Sequence, residues 1–184
     1  ALELAHASGL KVPKAAGEGA LSWFDDVTEQ NRYYRVGYNA RGTGKVYVPG
    51  KNEEFDHHET MTAAGMVSRI FITRRTTAPD MGAHILLLHD PPAWAPNRID
   101  SYYWYYGSLA LFQYDGSDGR LWKRWNTAIV QALIPNQKTG ADGCAAGSWD
   151  SKGDRWGQEG GRVYTTAMNA LTLETSFRYP SFAG

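Results

Sequence analysis

The stretch Gly147–Leu173, GSWDSKGDRWGQEGGRVYTTAMNALTL, changes character half way along. Its first half mixes glycine, tryptophan and charged residues without any period, which indicates an ordered loop. From Arg162 to Phe177, small and apolar residues recur on one side, which predicts a helix with those residues inward. The rest of the chain repeats the order of a helix, a loop rich in glycine and aromatic residues, and a second helix. We therefore expect an all-α fold of helix–loop–helix units.

Seven helical segments follow from apolar periodicity and capping signals. They span 2–8, 14–26, 57–74, 79–88, 101–114, 120–134 and 162–177. Asp100 precedes one helix as an N-cap, Asp56 with Glu59 predicts a capping box at another, and Pro135 ends a third. Strand-like residues on both sides of Asn39–Lys45 predict a small β-hairpin in one long loop.

Apolar spacing also predicts which helix faces are buried. The inward residues are Met61, Ala64, Met66, Ile70 and Phe71 in the helix at 57–74, and Leu121, Trp125, Ala128, Ile129 and Leu133 in the helix at 120–134. The helix at 101–114 is apolar nearly all round, as expected in a core. Units at 14–74, 79–114 and 118–178 cannot each bury their own apolar faces, so they should stack. We expect a single domain, 1–184, that curves into an α/α barrel with about seven helices.

Composition excludes several classes of function. The 184 residues include 19 basic and 19 acidic side chains, and this balance argues against nucleic acid or an anionic membrane as the main partner. No apolar run approaches the ~20 residues that a transmembrane segment needs. Cys144 is the only cysteine, so an intramolecular disulfide and a cysteine-rich zinc site are excluded, while the cellular compartment stays open. The opening ALELAHASGL is typical of a helix end closed by Gly9, so we expect a piece of a longer protein.

Aromatic residues are unusually frequent, with 7 Trp, 11 Tyr and 6 Phe. The block at 102–106 can line a cavity for an isoprenoid or another apolar ligand, or it can form a packed inner helix. The loop at 150–159 can supply a calcium-type oxygen site or an acid, or its charges can fasten the loop by hydrogen bonds. The candidate ligand-binding residues are Tyr102, Trp104, Tyr105, Tyr106, Trp149, Asp150, Asp154 and Trp156. Arg162 would oppose its own helix dipole unless it is paired, so we expect Asp150 or Asp154 as its partner.

Other groups of reactive residues also have a simple structural explanation. His57, His58 and Glu59 resemble a metal site, but a zincin needs histidine at position 62, which is threonine, and an acidic helix start explains them equally. Cys144 with Asp142 is a weak zinc candidate. His89 with Asp90 can act as a base and its orienting group, or simply end a helix before a proline. We expect no metal and no cofactor.

The segment ALIPNQKTGADGCAAGSW, residues 132–149, resembles the QW motif of squalene–hopene cyclases and related terpenoid cyclases through Leu133, Gln137, Gly147 and Trp149. DSYYWYYGSLALFQ, WKRWN and GGRVYTTAMNALTLE are similar to segments of the prenyltransferase/squalene-oxidase repeat superfamily, in particular its uncharacterised planctomycete-type members. The resemblance covers most of the chain in its order of helices and loops, and it is most specific in residues 100–178. It implies the α/α toroid fold.

Three departures from that family bear on function. Nine residues separate Gln137 from Gly147, so a contact between Gln137 and Trp149 of the family's kind is not expected. The family's protonating Asp-x-Asp-Asp motif has its nearest match at Asp25-Asp26, which lacks the first aspartate. A full toroid has about twelve helices, so seven predict roughly half a barrel.

Three functions remain open from the sequence. The first is a noncatalytic module that binds a protein or an apolar, isoprenoid-type ligand. The second is a terpenoid cyclase whose acid lies in an absent N-terminal half. The third is a polysaccharide lyase, which needs a tyrosine or histidine base and a neutralising arginine, residue types present in Asn31–Tyr34. Because half a barrel would expose a large apolar surface, we also predict a homodimer or association with the missing half.

Overall fold

A computed structural model describes residues 5–6, 8–30, 34–42, 59–76 and 84–181, without the side chains of 85 and 86. These residues are mostly helical and contain no sheet, which confirms the all-α class. Two isolated β-bridges are their only strand-like pairings. The chain divides into two compact units, residues 1–86 and 87–184.

The first unit is built on α1 (Lys14–Val27) and α2 (Thr60–Thr73), which pack together. After α1 the chain folds back through an antiparallel bridge between Thr28 and Val36. Gly65 of α2 allows this turn to approach, since a Cβ atom there would lie 2.8 Å from Val36 Cγ2. The rest of the predicted hairpin, residues 31–33 and 43–58, lies outside the described residues, as does the capping residue at 56.

The buried face of α2 differs from the predicted one. Met66 and Ile70 are buried as expected, but Met61, Ala64 and Phe71 are only half-buried. The remaining buried positions are Thr62, Ala63, Gly65, Val67 and Arg69. Polar side chains enter this face because they find partners: Arg69 donates to Asp25 at 2.7 Å and to Thr28 at 3.1 Å. Apolar periodicity alone cannot reveal such pairing.

The described part of the helix predicted at 79–88 is α3 (His84–His89), and residues 79–83 lie outside the described part of the chain. In the second unit, α4 (Ser101–Asp115) is the central helix. It packs against α5 (Arg120–Leu133), α6 (Gly157–Leu173) and α7 (Thr175–Arg178). Its buried residues surround most of the helix, as the sequence predicts: Ser101, Tyr103, Trp104, Gly107, Ser108, Leu109, Ala110, Leu111, Phe112 and Gln113.

Two features bring α5 close to α4. Asp115 Oδ2 accepts hydrogen bonds from the backbone amides of Leu121 at 2.7 Å and Trp122 at 3.0 Å, and so caps α5. Gly107 leaves room for the ring of Trp125, whose Nε1 donates to Ser108 Oγ at 2.9 Å. The buried residues of α5 are Trp122, Trp125, Ile129, Ala132 and Leu133. The predicted inward residues Leu121 and Ala128 are half-buried, because the face is centred on the two tryptophans.

The helical hydrogen-bond pattern of α6 begins at Gly157, but Gly161 has φ of 66° and interrupts it. Regular helix therefore starts at Arg162, as predicted, and ends four residues before Phe177 because α7 follows as a separate turn. The inward side of α6 is small but polar, not apolar as predicted, with Gly157, Thr165, Asn169 and Thr172 buried. No helix within the described ranges is long and apolar enough to cross a membrane.

Candidate functional site

Two carboxylates meet at the N-terminus of α4. Asp100 Oδ1 accepts a hydrogen bond from the Tyr103 amide at 2.8 Å, which confirms Asp100 as the N-cap. Asp154 Oδ2 accepts from the Ser101 amide at 3.0 Å, and its Oδ1 accepts from the Trp156 amide at 2.9 Å. Free amides and the positive end of the helix dipole favour negative charge here. Asp154 therefore fastens the 149–156 loop to the start of α4.

Burial sets the protonation of Asp100. Asp100 is 1% exposed, and loss of hydration raises its pKa from 3.8 to about 7. The charge of Asp154 raises the pKa further, while the Tyr103 amide and Arg155 act in the opposite direction. The Arg155 Nε atom lies 3.6 Å from Asp100 Oδ2. Burial thus favours the protonated form of Asp100 over a wider pH range than in an exposed carboxyl.

Tyr164 of α6 completes this polar group. Burial raises the pKa of its hydroxyl, and the charges of Asp154 and Asp100 raise it further, while the hydroxyl of Ser101 interacts with it and lowers it. The phenol thus stays protonated and can donate a hydrogen bond near the two carboxylates. The sequence alone does not indicate Tyr164 as a site residue, because Asp154 and Asp100 are 10 and 64 residues away in the chain.

Five half-buried rings form a continuous surface that we call the aromatic strip: Trp156, Tyr102, Tyr106, Tyr105 and Tyr179. Ring centroids of Trp156 and Tyr102 are 6.4 Å apart, those of Tyr102 and Tyr106 are 4.9 Å apart, and those of Tyr106 and Tyr105 are 5.3 Å apart. Burial raises the pKa of Tyr105, and the neighbouring Tyr179 hydroxyl raises it further. The strip holds four of the eight candidate residues.

The other candidate residues lie elsewhere. Trp104 is 1% exposed and packs in the core against Trp94, with ring centroids 6.3 Å apart. Trp149 is 3% exposed. Asp150 Oδ2 lies 3.4 Å from Arg162 Nη2, which confirms the predicted pairing of Arg162. A backbone hydrogen bond from Lys152, followed by the charge of Arg162, lowers the pKa of Asp150.

The loop between α5 and α6 is closed by a clasp formed by Leu133, Gln137, Gly147 and Trp149. Gln137 Nε2 donates to the Gly147 carbonyl at 2.8 Å, and Trp149 Nε1 donates to the Leu133 carbonyl at 2.8 Å. Gln137 therefore bonds to the loop backbone across its long spacer. The spacer turns back through short 3₁₀ segments at 134–136 and 140–145.

The remaining candidates do not gather into a site. Within the described ranges, no group of three or more His, Cys, Asp or Glu residues could hold a metal ion. Asp142 accepts a hydrogen bond from the Thr139 amide at 2.7 Å, and exposed Asp90 lies 3.2 Å from Arg98. The metal site predicted at His57 and His58 lies outside the described part of the chain. So do residues Asn31–Tyr33 of the polysaccharide-lyase hypothesis. Both therefore stay predictions.

Comparison with known proteins adds no relative: no family model, curated protein or solved structure matches the chain. The function must therefore be inferred from the chemistry of the aromatic strip and the buried carboxylates.

Proposed function

We propose that the chain belongs to the squalene-cyclase-like α/α-toroid repeats and binds an apolar, isoprenoid-type ligand on the aromatic strip without transforming it. The observation that carries the binding proposal is the strip itself. Four of its rings, from Trp156 to Tyr105, contact one another in turn, Tyr179 interacts with Tyr105, and all five rings leave part of their surface accessible. Apolar area removed from water contributes roughly 25 cal/mol per Å², so a long unsaturated chain lying across several rings gains substantial affinity.

The clasp supports the family resemblance. The four residues that resemble the QW motif lie together at the junction of α5 and the following loop, joined by the two side-chain hydrogen bonds to backbone carbonyls. A loop fastened in this way across a helix end is the type of connection that a stacked two-helix repeat needs. The arrangement of such repeats into a toroid is part of the proposal.

The carboxylates support a noncatalytic role. An acid catalyst has to reach its substrate. Asp154 instead accepts two backbone amides, and Asp100 is 1% exposed and caps α4. Their hydrogen bonds hold the rim of the strip, because Trp156 is bound directly by Asp154 and Tyr102 lies in the first turn of α4.

Calorimetric titration of the chain with farnesol, a short isoprenoid alcohol, tests this function. We expect saturable binding that weakens at least tenfold in Tyr106→Ala, because this residue lies between two neighbouring rings, and that is unchanged in Tyr114→Ala on the same helix. Farnesol and squalene should be recovered unchanged after incubation. Equal affinity in the two variants, or no binding at all, would refute the proposal.

A terpenoid cyclase remains the second candidate, with its acid in a segment outside this chain. Conversion of squalene by a longer form of the protein that contains such a segment, but not by this chain alone, would favour this candidate over the binding module.

A further inference from the structure

The buried face of α6 carries polar atoms whose hydrogen-bonding capacity is unused. Thr165 and Asn169 are both 0% exposed. Within the described residues, Thr165 Oγ1 and both Asn169 side-chain atoms, Oδ1 and Nδ2, have no hydrogen-bond partner. The two residues are four positions apart on one helix, so their side chains lie on the same face, one turn apart. Three unpartnered polar atoms are thus concentrated at one place in the core.

Two nearby threonines, Thr172 in α6 and Thr175 in α7, show how a buried hydroxyl is satisfied in this part of the fold. Thr172 Oγ1 donates to the Met168 carbonyl at 2.7 Å, and Thr175 Oγ1 reaches the Leu171 carbonyl at 3.4 Å, four residues back in each case. The corresponding carbonyl for Thr165 belongs to Gly161. Thr165 Oγ1 does not make this bond, because it has no hydrogen-bond partner among the described residues. The Thr165 hydroxyl is therefore available to another group.

The atoms also define what could bind. Asn169 Oδ1 needs a donor, Nδ2 needs an acceptor, and a threonine hydroxyl can serve as either. A lone cation or anion meets only one of these needs, and burial disfavours an unpaired charge. An uncharged group that both donates and accepts satisfies all three atoms, and buried waters in proteins commonly have this role.

We propose that Thr165 and Asn169 form a buried binding site for an uncharged molecule that donates and accepts hydrogen bonds, of which water is the smallest. The site uses none of the residues of the aromatic strip. Its occupancy is therefore independent of the isoprenoid proposal, and either can fail without the other.

Nuclear magnetic resonance of the ¹⁵N-labelled full chain tests this site. We expect cross-peaks between water and the Asn169 side-chain amide protons, with the signs of a long-held water. Asn136 is the matched control, because its Nδ2 already donates to the Ala132 carbonyl at 2.9 Å, and it should give no such cross-peak. In Thr165→Val the Asn169 cross-peaks should lose at least half of their intensity, and in Asn169→Leu a water signal at the neighbouring Thr165 methyl should be lost.

A molecule larger than water would instead appear as added mass in native mass spectrometry, lost in the same two variants, and would equally support the site. The wild-type measurement stands even if Asn169→Leu does not fold. Asn169 amide protons with neither a water cross-peak nor any added mass on the chain would overturn the proposal.

Discussion

The carboxylate of Asp154 binds the backbone amide of Ser101 at 3.0 Å, across 53 residues of sequence. This bond joins the 149–156 loop to the first turn of the central helix, and it is reinforced by the Arg155 amide, which donates to the Ile99 carbonyl at 3.1 Å. The loop's charge at position 154 thus stabilises a distant helix end.

Asp154→Ala should lower the free energy of unfolding of the second unit by about 1–3 kcal/mol, because the buried Ser101 amide and the part-buried Trp156 amide lose their acceptor. Urea unfolding followed by tryptophan fluorescence measures this, since six of the seven tryptophans lie in residues 87–184. Asp118→Ala is the control: its carboxylate is exposed beside Lys123, so the change should stay within about 0.5 kcal/mol. Similar effects in both variants would contradict the structural role of Asp154.

Stability should depend on pH through Asp100. Its folded pKa of about 7 is above its ordinary value of 3.8, so the folded protein holds the proton more tightly than the unfolded chain does. The stability that the protonated Asp100 carboxyl adds to the folded state is therefore greatest below pH 3.8 and is lost as pH rises through 7. Between pH 5 and 8 we expect a loss of about 2–3 kcal/mol. Asn does not titrate, so this part of the slope should disappear in Asp100→Asn; an unchanged slope would show that Asp100 is ionised throughout.

Gly107→Ala should overpack the contact between α4 and α5. The added Cβ atom would lie 2.5 Å from Trp125 Cζ2, a ring atom that is fully buried, so either the ring or the helices must move. We expect a cost of about 1–3 kcal/mol and a changed near-ultraviolet circular dichroism spectrum. Gly140→Ala meets no atom within 4 Å and should leave the spectrum unchanged. Unaltered tryptophan dichroism in Gly107→Ala would show that the contact is looser.

Trp149→Phe should weaken the clasp. The Leu133 carbonyl loses the donor at Nε1, and the smaller ring leaves a gap at a position that is 3% exposed, so the change should cost at least about 1–2 kcal/mol. Limited proteolysis within 138–147 should become faster. Trp23→Phe, at a 54% exposed position of α1, should change neither stability nor cleavage. If cleavage is equally fast in wild type and Trp149→Phe, the clasp does not restrain the loop.

Local signals in the sequence predicted the helices well. Asp100 is followed by a helix because its side chain can reach the Tyr103 amide, and α4 is buried because it is apolar all round. These predictions succeed because caps and core helices depend on neighbouring residues.

Contacts between segments that are distant in the chain could not be predicted from the sequence in the same way. The pairing of Asp154 with Ser101 and of Arg69 with Asp25 depends on how helices pack, and neither leaves a periodic signal. The inward face of α6 was expected to be apolar, whereas Thr165 and Asn169 occupy it. The sequence places these two polar residues four positions apart on a helix, and such spacing alone predicts an exposed face and not a buried one. Half of the candidate ligand-binding residues came together in the aromatic strip, because an i, i+4 pair on α4 already places Tyr102 beside Tyr106.

The loop at 139–146 leaves and re-enters the fold at one point, because Lys138 and Ser148 are joined by a 2.8 Å backbone hydrogen bond. Its length is therefore nearly uncoupled from the packing beneath it: each doubling of a flexible loop costs only about 0.6 kcal/mol. This makes the loop a natural place to insert an epitope or a fluorescent domain while helices α5 and α6 keep their positions.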